Sequence, residues 1–321
     1  MDENPKKAPE ELDESSLPCK EQPEAAEGDD DDFMGAEHFE GMGNAWSALL
    51  GENGSITDIL PTVIAQGKPI PVCRASDNAS QTDVLLMLYP KENSVRTGAL
   101  LVTSAENKNW ELCSAYPLLE GMPTALTINK THTWGNGVEG VVAAHLHEEG
   151  PPISFFAPFY LRDFADLPPR ADKVVNLAAL AFSLRQAEPQ EFSVREGPFY
   201  ENRLQAFLEE NPERTKTDFT PPVVSFCGAK ILLPSGYSTE WQFRCPVLAV
   251  EEVLFMDIKV YKLTVDFIGM DDDVMSGYLY ASERILNGYV PEVGHDVEGG
   301  LWMTGTIADA QNNQGKRYAG V

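Results

Sequence analysis

Two stretches of this chain, residues 122–185 and 245–308, carry the same order of sequence signals, and that limits what it can fold into. In the first, Val138 to Leu146 reads as a strand. A turn follows at Glu148-Glu149-Gly150, then a second strand from Ile153 to Tyr160. Leu161 to Leu167 suits one or two helical turns, Pro168-Pro169 breaks them, and an apolar run from Asp172 to Leu184 resumes extended structure. In the second stretch, Tyr261, Leu263, Val265 and Phe267 alternate with polar residues, the period-two signature of a half-buried strand. Asp271-Asp272-Asp273 makes the turn, and Gly277 to Ala281 is the next strand. Ser282 caps a short helix ending at Asn287-Gly288, and Asp296 to Ile307 is the last strand. A β-rich stretch precedes each copy, Thr124 to Thr133 and Val247 to Met256.

Each copy therefore runs strand, strand, strand, short helix, strand. That order resembles the first four strands of the OB-fold, whose helix sits between strands three and four. The resemblance is to a superfold and implies two β-barrel modules. After Ile307 only a polar tail remains, so the second copy lacks a fifth strand. The apolar segment Val223 to Leu233 is the candidate to cover that edge.

The rest of the chain divides around the repeat. Residues 1–32 are rich in Glu, Asp, Pro and Ala and end in four aspartates. So few apolar groups cannot offset the entropy of ordering, and the segment reads as a disordered acidic tail. Residues 33–120 read as a small α/β segment. It opens with a helix over 42–50 that places Trp46, Leu49 and Leu50 on one face, then a second helix capped by Ser55 and kinked at Pro61. Strands from Val84 to Tyr89, Gly98 to Thr103 and Trp110 to Tyr116 form an antiparallel meander. The first module spans 121–196. A helical linker over 197–222 puts Leu204, Phe207 and Leu208 on one side of a helix ended by Asn211-Pro212. The second module spans 223–310, and 311–321 is a polar tail. The expected class is β-rich α+β, with two related OB-like partial barrels.

Charge narrows the partners. The chain holds 50 acidic against 24 basic residues, a net of −26, and residues 1–40 account for only −12 of it. The remainder is still acidic and repels phosphate, so nucleic acid and anionic membrane surfaces are disfavoured. The second copy, with 3 basic and 11 acidic residues, opposes single-strand binding most strongly. No run approaches the apolar length of a membrane helix, and the first residues lack the apolar segment of a signal peptide. The expectation is a soluble cytoplasmic protein with its five cysteines reduced.

Chemistry-bearing signals are sparse. His145 and His147 share one strand face and form the candidate metal pair, with His132, Glu148 or Glu149 as a third ligand. Cys113, Cys227 and Cys245 have no catalytic signature around them, and no cofactor motif occurs. The reading is a non-catalytic binding or adaptor protein that contacts another protein through its β surfaces or acidic face. Trp46, Leu49 and Leu50 are a candidate docking motif. The alternatives are a metal-dependent hydrolase centred on His145 and His147, and a single-strand nucleic-acid binder using the first module.

Overall fold

The computed structural model describes residues 38–51, 54–73, 82–104, 109–146, 150–235, 238–270 and 273–308. The acidic segment 1–32 and the polar segment 311–321 lie outside the described residues.

Two helices, α1 (His38–Leu50) and α2 (Ile56–Gln66), precede a four-stranded antiparallel meander. The Ser55 hydroxyl accepts the Thr57 N–H and caps α2, which continues through Pro61 because Val63 is buried against Met87, Ala99 and Leu101. The meander consists of β1 (Lys68–Cys73), β2 (Thr82–Tyr89), β3 (Val95–Ser104) and β4 (Glu111–Leu119), in that spatial order. Strand β1 is absent from the sequence reading. Its Pro69 and Pro71 look like strand breakers, but at a sheet edge the missing N–H groups can face outward.

The larger sheet begins with β5 (Met122–Thr133), β6 (Gly140–Leu146) and β7 (Pro152–Ala157), followed by α3 (Tyr160–Asp163) and the 16-residue β8 (Ala171–Gln186). An arm follows, holding β9 (Glu191–Ser193), α4 (Pro198–Glu210) and β10 (Val223–Ser225). Then come β11 (Ile231–Pro234), β12 (Glu240–Phe255), β13 (Ile258–Met270) and β14 (Asp273–Ser282). A 3₁₀ turn at Glu283–Ile285, capped by the Ser282 hydroxyl, leads to β15 (Asp296–Ile307).

The two four-strand sets pair in the same way. β5 pairs with β6 and β8, and β6 pairs with β7. Correspondingly, β12 pairs with β13 and β15, and β13 pairs with β14. The fourth strands settle the question of the missing edge. β8 and β15 run antiparallel along almost their whole length, Val175 to Gln186 against Ile307 to Val297. The first half of β8 pairs with β5, and its next residues, Ala178 to Leu180, lie parallel to Tyr278 to Tyr280 of β14. β15 pairs with β12 over Asp296 to Trp302 and then meets β7 at Thr304 and Phe156. Each fourth strand thus serves its own set with one half and the other set with the second half. At about 3.3 Å per residue, 16 residues reach roughly 50 Å, enough to cross both. Two closed rings of five strands result. The expectation that residues 223–233 cover an edge of the second set holds only at the segment's end: β11 pairs with the first half of β12, whereas β10 pairs with β9 in the arm. An apolar run shows that a strand forms but not which neighbour accepts it.

Small residues make the crossing possible. A side chain at Gly299 would lie 2.0 Å from the Ser183 carbonyl oxygen, and one at Gly305 would lie 2.7 Å from the Phe155 ring. Along β15, Leu301 and Met303 face the ring interiors with Phe155, Leu263 and Leu279, while Trp302 points the other way. There it meets Phe156 at 5.4 Å between centroids, within a second core formed by the outer barrel surface, α1 and the meander. The β5–β6 and β12–β13 hairpins contribute Trp134, Val138, Phe255 and Val260 to this core.

Candidate binding surface

The predicted site residues fall in separate places. His145 stands on the outward face of β6, where Asn129 Nδ2 lies 2.9 Å from its Nδ1. His147, Glu148 and Glu149 lie outside the described residues. His132 pairs with Val141, whereas His145 pairs with Thr127, so the two imidazoles sit about 13 Å apart along the sheet. Among the described residues no three His, Cys, Asp or Glu side chains gather as a metal site. Trp46, Leu49 and Leu50 do share a face of α1, and that face is buried in the chain's own core, with Trp46 Nε1 donating to the Ala115 carbonyl. A partner cannot reach it. None of Cys73, Cys113, Cys227 and Cys245 is in a disulfide. Burial pushes the Cys245 and Cys113 thiols up, away from the nucleophilic thiolate.

The aromatic residues that could have stacked on nucleic-acid bases are also inside. Trp134, Phe155, Phe156, Phe159 and Tyr160 are all buried. Arg162 is bound to its neighbour Asp163 and lies over the Phe159 ring, and Arg185 is paired with Glu298. Most of the platform and part of its cationic rim are already in use.

A buried carboxyl is a feature that sequence patterning could not show. Glu139 ends the turn between β5 and β6 and has no solvent exposure. It accepts from Ser114 Oγ of β4 at 2.6 Å and from Asn136 Nδ2, so it ties the meander to the first ring. Burial outweighs these hydrogen bonds and raises its pKa to about 7. The neighbouring Tyr116 hydroxyl, fully buried and without a hydrogen-bond partner among the described residues, is pushed well up by burial and by the Glu139 carboxyl.

The open surfaces lie elsewhere. A cleft of about 550 Å³ runs between α1 and the 3₁₀ turn, lined in part by Ser47, Phe182, Ser183, Arg284 and Asn287. The Arg284 guanidinium in it already donates to the Leu50 carbonyl at 2.5 Å. The arm differs from everything around it. No residue from 188 to 231 is buried. Helix α4 is started by Pro198 after Gly197, which has φ 88°, and it ends at Asn211. One side rests on its own loop, with Tyr200 and Phe207 about 5.5 Å from the Phe219 ring. A second side carries Glu201, Leu204, Gln205, Leu208 and Glu209, which line a shallow open groove of about 330 Å³. Phe192, Phe199 and Val223 of the same arm are between 47 and 57% exposed, more than solitary surface apolar groups explain. The sequence places Leu204 and Leu208 together on a helix, but helical spacing carries no sign that the face stays only half-buried.

Comparison with protein-family models, with curated proteins and with solved structures finds no match.

Proposed function

We propose that this chain is a soluble cytoplasmic binding protein, non-catalytic, in which two OB-like modules related by duplication form a scaffold. The arm between them contacts another protein. The recurrence of one pairing pattern in both four-strand sets, with a short helix before each fourth strand, supports the duplication. The observation that carries the binding reading is α4, a 13-residue helix with an apolar stripe and no buried residue. A helix this short is marginal alone, and most helical stability comes from packing an apolar face. Leu204 and Leu208 are only half-buried, and such a partly covered apolar face is the complement of a partner's surface.

The test is affinity capture from the native host with wild type and the double variant Leu204→Asp, Leu208→Asp. A specific partner should be retained by wild type and lost from the variant. Thermal melting should be almost unchanged, because no residue of α4 is buried. Capture indifferent to both substitutions would overturn the reading.

A further inference from the structure

The stripe on α4 also carries information about what covers it. Leu204 and Leu208 are one helical turn apart, about 6 Å along the axis. Glu201 and Glu209 bracket them at about 12 Å, with Gln205 between. At 100° per residue these five side chains occupy one face of the helix. None of these five lining residues is cationic, and two cations of the arm lie over aromatic rings, Arg203 over Phe199 at 5.6 Å and Lys216 over Tyr200 at 5.8 Å. The groove is therefore apolar along its floor and anionic at its rim, on a chain of net charge −26.

We infer that α4 takes an amphipathic helix of a basic partner, whose apolar side chains lie on Leu204 and Leu208 and whose Lys or Arg residues meet Glu201 and Glu209. This rests on the binding reading above and specifies the partner's chemistry. A second copy of this chain does not fit, because two such faces would set glutamate against glutamate. An acidic or phosphorylated segment fails for the same reason, since like charges facing each other across an interface exclude wrong partners. A basic helix gains on both counts, with apolar burial giving affinity and the rim giving orientation and faster encounter.

The experiment titrates fluorescein-labelled 18-residue helical peptides into the full chain. One is built of leucine and lysine with its leucines on one face, the other of leucine and glutamate in the same pattern. The leucine–lysine peptide should bind wild type, and the leucine–glutamate peptide should not. Leu204→Ala with Leu208→Ala, which keeps helix propensity, should weaken binding by at least about tenfold. Glu201→Lys with Glu209→Lys should do the same, and added salt should weaken the wild-type complex. Circular dichroism of each variant checks that α4 persists. Equal binding to wild type and the alanine variant would mean adsorption to an acidic surface and would overturn the inference, as would no binding. If the alanine variant loses the peptide and the lysine variant keeps it, the rim does not select a basic partner. The inference then fails while the binding reading stands.

Discussion

Substituting Glu139 with Gln should change how stability depends on pH, and the structure gives the sign and the size. Glu139 is buried between Ser114 of β4 and Asn136 of the β5–β6 turn, and its folded-state pKa is about 7 against an ordinary 4.5. Well below pH 4.5 both folded and unfolded chains hold the proton, so the group costs nothing. Between 4.5 and about 7 the unfolded chain releases its proton and the folded chain does not, so stability falls as pH rises. Above that window both states are ionised and the penalty is constant. At 1.36 kcal/mol per pH unit the full penalty is about 3 kcal/mol. A glutamine cannot ionise, and its amide can reproduce the neutral acid's hydrogen bonds. Its Oε1 would accept from Asn136 Nδ2 while its Nε2 donates to Ser114 Oγ. Urea denaturation of both proteins, followed by tryptophan fluorescence, is the assay. The sequence pI of about 4.4 makes about pH 5 the practical lower bound. The variant's advantage over wild type should grow by about 2–3 kcal/mol between about pH 5 and pH 8, then level off. Other carboxylates shift both curves together and cancel in the difference. An advantage that stays constant across this range would refute the reasoning.

Three further outcomes can be measured. Trp302→Ala should cost about 3–5 kcal/mol in chemical denaturation, because the indole is 1% exposed and packs on Phe156 between the barrels and the meander. The ion pairs around Glu298 should respond unequally: Glu298→Gln, which removes the negative charge opposite Arg244 at a site where the Arg244 side chain is 8% exposed, should lower the melting temperature clearly. Arg185→Ala, at an 80% exposed side chain, should leave it almost unchanged. Single-stranded DNA and RNA should show no measurable binding by fluorescence anisotropy at physiological salt, with or without residues 1–40, because the first module's aromatics are buried and the chain is acidic outside that segment.

The sequence itself determined most of the long strands and their order, though not the proline-bearing β1 or the short β9. Alternation in Tyr261 to Phe267 puts four apolar side chains on one face, and all four are in the ring interior. Ser55 and Ser282 cap the helical turns their positions predict, since a cap depends only on side chain and backbone a few residues away. Helix α4, with Leu204 and Leu208 on one side, is legible for the same local reason. Tertiary structure decided what each apolar face meets. The face of Trp46, Leu49 and Leu50 is buried and that of Leu204 and Leu208 is not, although both have helical spacing. Glu139 reads as an ordinary turn glutamate, and only the packing of β4 over the β5–β6 turn removes it from water. The rings close because β8 and β15 each divide their length between two sets of neighbours, with glycines where the backbones and Phe155 crowd β15. Periodicity fixes which side of a strand is apolar; hydrogen bonding along the strand edge is open to any backbone, so only the assembled chain selects the partner.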